Sequence, residues 1–330
     1  MRESVQNKCD LLIKNKELIE KEFKWESALK VICAALVFTG AKAEADPERL
    51  KECRTILKKN AGMLSTMRAE VEPVVVSRMA LSNDPQKYYD DLKMVYDKVT
   101  KGDIFDNGFL VQAAMSIVDA GRKDDADEIT ARYKELYKKM SKEHPFLTGS
   151  EDIVFAMLLA MTDKPIDQII SDMEECYNYL KKELKIKVSA NEIQGLGEVL
   201  ALTDGSITEK CDKVAVLYKT FAEHKMPYGT SYNEFASLGS LIDIPVDPDI
   251  LVDEIIETAE YLKSGKGFGG WTLDKKQRLM FAAMLVGDIY EVDQVMTGAS
   301  AMSSTIAMVI AEELAVMVCI MAATTATTSH

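Results

Sequence analysis

Five short phrases recur along this chain at nearly constant distance: LKMVYDKV, YKELYKKM, CYNYLKKEL, VAVLYKTF and TAEYLKSG. Their tyrosines, Tyr96, Tyr137, Tyr179, Tyr218 and Tyr261, lie 41, 42, 39 and 43 residues apart. Leu57, in TILKKN, stands 39 residues before Tyr96 in the same context, and a basic residue follows each of the six positions within two residues. A second landmark keeps step. Apolar stretches end in small-residue turns at RMALSNDP, MSIVDAGRKDD, LLAMTDKPID, VLALTDGSIT, GSLIDIPVDP and AMLVGDIYE, and Asp163, Asp204 and Asp243 within them are 41 and 39 apart. Self-similarity at one fixed period is the mark of stacked supersecondary units, each unable to bury its apolar face alone.

Each unit reads as two helices. The first is apolar nearly all round, as in DIVFAMLLAMT, IQGLGEVLALT and RLMFAAMLVG, which calls for burial on every side. The second is amphipathic: PIDQIISDMEECYNYLKKEL sets Ile166, Ile169, Ile170, Met173, Tyr177 and Leu180 on one stripe with charges opposite. Asp-Pro, Asp-Lys-Pro and Asp-Gly turns separate the two, and proline suits the first turn of the second. Lysines after each tyrosine complement a helix C-terminus. The β-branched run EPVVVSRM sits inside helical periodicity, so no strand is expected. The pattern predicts an all-α chain of about seven hairpins of roughly 40 residues each. These form an α/α superhelix or close into an α/α toroid, and periodicity does not choose between the two. Residues 1–298 are assigned to the hairpin domain, with 1–46 as N-terminal cap helices and 299–330 as a C-terminal Ala/Met-rich packing or interface helix.

At 330 residues the chain can bury ample core. Its net charge of -13 argues against a nucleic-acid partner, since phosphates require clustered Lys and Arg, and disfavours an anionic membrane surface. Six cysteines at 9, 33, 53, 176, 211 and 319 show no CxxC and fall in apolar helical patterns, which reads as buried reduced thiols in a cytoplasmic protein. The amphipathic N-terminus MRESVQNKCDLLIKNKELIEKEFKWES lacks the apolar core of a signal peptide. Residues 299–326 are long enough to span a bilayer. Glu312 and Glu313 near their centre would cost about 5 kcal/mol or more on insertion scales, which favours a packed or interface helix.

The linkers that join one hairpin to the next are longer and richer than the turns within hairpins: KGDIFDNGFL, EHPFLTGSED, IKVSANE, EHKMPYGTSYNE and SGKGFGGWTLDK. Stacking should place them on one edge, and they carry His144, Phe146, His224, Tyr228, Phe268 and Trp271, the candidate ligand-binding residues. His144 and His224 are 80 residues apart, two units on, which sets them roughly 20 Å apart in an open stack of helices about 10 Å wide. That is too far to share a metal or proton, and closing the C-terminal end of a helix is the role expected of each. Ser189-Ala-Asn-Glu192 and Ser231-Tyr-Asn-Glu234 match the capping box. A catalytic reading would instead use Glu151, Asp152, Glu192 or Glu234 as rim carboxylates of a toroid. GKGFGG matches a dinucleotide glycine pattern but follows a helix instead of a strand. No P-loop, HExxH, GxSxG or paired CxxC occurs, and no catalytic residue, metal or cofactor is assigned.

The phrases FDNGFLVQAAMSIV and WTLDKKQRLMFAAMLVG, together with the length and the charged N-terminal helix, resemble a bacterial family of unknown function, numbered 4003 among domains of unknown function. The resemblance implies a cytosolic bacterial protein and supplies no catalytic residues. The expected function is therefore a binding module that takes a protein segment or small ligand on the linker edge. The alternatives are a hydrolase-like toroid enzyme and a homo-oligomer held by the C-terminal helix.

Overall fold

Apolar helices that cannot be amphipathic must be covered by other helices, and the computed structural model shows how. It describes residues 1–102, 107–270 and 272–293, and helix is the only repetitive structure among them. In chain order the first helices are α1 (Glu3–Glu22), α2 (Ala28–Gly40), α3 (Pro47–Asn60), the single turn α4 (Thr66–Ala69), α5 (Glu72–Leu81), α6 (Pro85–Val99), α7 (Gly108–Asp119) and α8 (Ala126–Glu143). There follow α9 (Ile153–Ala160), α10 (Ile166–Asn178), α11 (Ala190–Ala201), α12 (Ile207–Glu223), α13 (Tyr232–Ser237), α14 (Pro248–Lys263) and α15 (Lys275–Asp293). Short 3-10 turns precede α8 and α9 and follow α13, and α10 runs on into a π-helical turn at Tyr179–Glu183. The expected all-α class is what the structure shows.

The starts of these helices follow local chemistry. Asp46, Asp84 and Asp247 each stand before a proline and accept a backbone N–H from the first turn of α3, α6 and α14. Ser27, Asn107 and Ser206 do the same for α2, α7 and α12. Asp-Lys-Pro departs from the pattern: Pro165 precedes α10 with no side-chain cap, and Lys164 is used elsewhere.

The described residues fall into two compact units, Leu11–Glu135 and Met1–Asp10 with the described part of Leu136–Ile310. In the first, α2 packs on α5, α3 on α5 and α6, and α6 on α7. Arg54 of α3 donates to the Glu22 carbonyl at 2.7 Å and to Glu72 Oε2 at 2.9 Å, with its guanidinium 4.7 Å over the Phe23 ring. Asn15 is fully buried and holds the turn after α2. Its Nδ2 donates to the Ala43 carbonyl at 3.0 Å, and its Oδ1 accepts the Ala45 N–H at 2.8 Å.

In the second unit the apolar helices α9, α11, α13 and α15 contact one another in succession, as do the amphipathic helices α10, α12 and α14. Arg2, just ahead of α1, donates to both carboxylate oxygens of Glu254 on α14, at 2.8 and 3.0 Å, and stacks 3.9 Å over the Tyr290 ring of α15. Tyr261 donates to Asp10 Oδ1 at 2.6 Å. The chain's first residues are thus bound to helices some 250 positions further on.

The C-terminus of α11 is closed by two lysines from flanking turns. Lys164 Nζ reaches the carbonyls of Ala201 and Thr203 at 2.9 and 2.5 Å, and Lys210 Nζ those of Leu200 and Thr203 at 2.8 and 2.7 Å. These cations satisfy carbonyls that the helix leaves without partners. Burial, then the neighbouring Lys164 ammonium, hold Lys210 below the usual lysine range.

Asn15→Ala removes both halves of a buried clasp and strands an N–H and a carbonyl. Urea unfolding is expected to lose about 2–4 kcal/mol, with the midpoint shifted and the slope unchanged.

Candidate functional site

His144 and His224 sit at corresponding places and do corresponding work. His144 follows α8, its Nε2 pairs with Glu174 of α10, and its ring lies 5.3 Å from that of Tyr177. His224 ends α12, and its two ring nitrogens lie 2.7 Å from Asp249 Oδ1 and 2.8 Å from Asp253 Oδ1, both on α14. Each histidine therefore ties the end of one amphipathic helix to the next, and each has its own acids. The expected helix-closing role is also visible in the backbone. Lys225 adopts a left-handed φ of 57° after His224, and the Met226 N–H returns to the Phe221 carbonyl at 3.0 Å.

The aromatic candidates separate. Phe146 is 98% exposed, on the outside of a turn closed by Leu147 and Thr148 N–H groups on the His144 carbonyl. Tyr228 and Phe268, assigned above to the ligand edge, are instead core residues at 1% and 0% exposure. Tyr228 packs against Phe221 at 4.7 Å between ring centroids and shares a 2.9 Å hydrogen bond with Ser237. The reason is local: in KMPY, Met226 and Tyr228 are buried while Lys225 and Pro227 are exposed, the two-residue alternation of an extended segment. The Phe268 carbonyl accepts from Arg278 Nη1 at 3.2 Å inside the same core. Trp271 and Phe105 lie outside the described residues, as does the segment 299–330.

Of the candidate rim carboxylates, Asp152 meets a second acid, Glu198, at a shared tyrosine hydroxyl. Asp152 opens α9, and its Oδ2 accepts the Gly149 N–H at 2.6 Å. Its Oδ1 lies 2.9 Å from the Tyr232 hydroxyl of α13, which is also 3.0 Å from Glu198 Oε2 of α11. Gln194 Nε2 donates to Glu198 Oε1 at 3.4 Å. Asp152 and Glu198 are both fully buried, and the Tyr232 hydroxyl stands within hydrogen-bond distance of both carboxyls. The Tyr232 ring reaches them across Gly195, where a Cβ would come within 2.5 Å of its edge. Burial raises the Asp152 carboxyl above its ordinary range, against the opposing hydrogen bonds from Glu198, Gly149 and Tyr232. Burial, then the charges of Asp152, Glu151 and Glu198, push the nearby Tyr137 phenol up to about 12.

The other rim carboxylates are spoken for by local structure in different ways. Glu234 accepts the Ser231 N–H at 3.0 Å, the carboxylate half of the expected capping box, and lies so close to Gly229 that no side chain fits there. Ser189 makes no side-chain cap, and Glu192 Oε2 is buried without a hydrogen-bond partner, so the second expected box does not form. Glu151 Oε1 accepts from Asn191 Nδ2 at 3.3 Å. Glu198 and Gln194 were not singled out from the sequence. The available signal was an acidic residue at the centre of the apolar run IQGLGEVLALT.

Asp152 and Glu198 are bridged by the Tyr232 hydroxyl, and neither reaches solvent. Among the described residues no group of three or more His, Cys, Asp or Glu is arranged to hold a metal ion. A separate groove of about 310 Å³ is lined by Val216 and Leu217 of α12 and by Leu241, Ile244, Val246 and Leu251. No described helix is long and apolar enough to cross a membrane.

Two pH effects follow, with the same sign and different windows. Asp152 keeps its proton above the ordinary carboxylate value of 3.8, so its share of the stability is present at acid pH and lost as pH rises through the raised value. The urea midpoint should decline over that window, and Asp152→Asn should flatten this part of the profile. His224 is raised from 6.5, first by the Asp249 hydrogen bond, so its contribution is complete below 6.5 and lost above the folded value. An NMR titration of the His224 ring should show a midpoint above 6.5 that returns toward 6.5 in an Asp249→Asn, Asp253→Asn double variant.

No curated protein and no solved structure matches the chain. A family profile does match, over residues 15–315. The chain belongs to the family described as "Protein of unknown function (DUF4003)".

Proposed function

We propose that the alternating helices are a hairpin-repeat array in a cytoplasmic protein, and that the array is an interaction module for another protein. The observation that carries this reading is the placement of exposed apolar side chains. Among the described residues the four most exposed large hydrophobics are Trp25 (99%), Phe146 (98%), Leu64 (89%) and Met63 (73%). Each lies in a linker that leads from an amphipathic helix to an apolar one: α1 to α2, α8 to α9, and α3 toward α5. Aromatic and aliphatic anchors held out by a rigid helical frame are what protein partners bury. Beside Met63 and Leu64 lies a hollow of about 140 Å³ lined by Asn60, Ser65, Met67, Tyr89 and Tyr96, a size that takes one large partner side chain. The net charge of -13 favours a partner with basic residues around its apolar contacts.

The enzyme alternative finds its two close carboxylates in Asp152 and Glu198, but both are fully buried. It therefore requires α11 or α13 to move before any substrate could reach them. The interaction reading needs no such movement.

The test is cross-linked capture of partners from extract of the source cells, with wild type compared with Trp25→Ala, Met63→Ala/Leu64→Ala and Phe146→Ala. Truncation of exposed side chains should leave the melting temperature unchanged. Each variant is expected to lose a captured partner about tenfold or more. Retention of that partner at wild-type yield by all three would overturn the reading.

A further inference from the structure

We propose that Cys176 and Cys211 are a disulfide-forming pair, a site of reversible oxidation that ties α10 to α12. Cys211 Sγ lies 3.4 Å from Cys176 Sγ, and both side chains are fully buried. They come from neighbouring amphipathic helices that pack directly on each other. Cys9, Cys33 and Cys53 are also buried, and Cys176 and Cys211 are set sulfur to sulfur. The third wall of the site is α11, where Gly197 faces the pair: a Cβ there would stand 3.7 Å from Cys176 Sγ.

A disulfide holds its sulfurs about 2.05 Å apart. About 1.4 Å of approach is needed, within reach of side-chain rotation and a small shift of two packed helices. The hydrogen bond shared with Cys211 and burial hold the Cys176 thiol well above its usual range, with the Lys210 ammonium acting in the opposite sense. Oxidation is accordingly slow at neutral pH and faster as pH rises, because the thiolate is the reacting form. With hydrogen peroxide as oxidant, one thiolate attacks a peroxide oxygen, the O–O bond breaks, and a sulfenic acid forms with release of hydroxide. The second sulfur then attacks the sulfenic sulfur, its proton and the departing hydroxide leaving as water. Two thiols lose two hydrogens and two electrons, and the peroxide O–O bond takes up the electrons. The cross-link would fix the first turns of α12, which supply Asp212, Lys213, Val216 and Leu217 to one wall of the 310 Å³ groove.

The experiment uses the full chain carrying Cys319→Ser, treated with hydrogen peroxide at pH about 8, just below the thiol range, then quenched and digested without reductant. Mass spectrometry is expected to find the peptides bearing Cys176 and Cys211 joined, at about 2 Da below the sum of the two. Thiol titration should fall by two, and dithiothreitol should restore both. Cys211→Ser should abolish the joined peptide. Thiol loss without that peptide, comparable yields of other pairings, or no oxidation after exposure that fully oxidises free glutathione would each overturn the proposal. Should Cys211→Ser fail to fold, the peptide map of the parent chain and of Cys176→Ala decides the same question.

Discussion

The fold depends on helices that have no polar face. All eight residues of α9, Ile153–Ala160, are buried, and α2 and α7 are buried over most of their length. An α-helix of this kind cannot rest on a surface; it needs neighbours all round. Sister apolar helices cover it on one side and amphipathic helices on the other. The contacts α9 to α11, α11 to α13 and α13 to α15 are that requirement met in sequence, and the amphipathic contacts α10 to α12 and α12 to α14 run parallel to it.

Such packing leaves polar groups in a low-dielectric interior, and the chain satisfies most of them one by one. Asn15 closes a turn, Arg54 gathers two carboxylates and a carbonyl, and Lys164 and Lys210 share the end of α11. Removing one partner from such a contact leaves a desolvated group unpaired, which costs more than the bond itself contributes. The Asp152–Glu198–Tyr232 cluster is the most demanding case, since two carboxyls at one site cannot both ionise. It joins three successive apolar helices through polar side chains. That makes it both a fastening and a titratable element at the centre of one unit.

The histidine echo shows how far local similarity reaches. EHPFLTGSED and EHKMPYGTSYNE share the histidine, the helix end it closes and a carboxylate folded back at the next helix start. Between those fixed points they diverge. An ordinary turn leaves Phe146 outside, while an extended tripeptide turns Met226 and Tyr228 inward. Both outcomes join the end of one amphipathic helix to the start of an apolar one, so similarity of position did not imply similarity of exposure.

The helical class, the alternation of apolar and amphipathic helices, and the Asp-Pro starts were legible in the sequence because they rest on periodicity and capping within a few residues. The cap expected from Ser189 and Glu192 was equally legible and does not form: Glu192 is half-buried, with its Oε2 shielded from solvent and without a hydrogen-bond partner. What only the tertiary structure decided is which distant side chains meet. Arg2 finds Glu254, Tyr232 finds Asp152, and Cys176 finds Cys211. No local pattern encodes these meetings, because they depend on how closely whole helices approach, and that distance is set by packing volume at places such as Gly195 and Gly197.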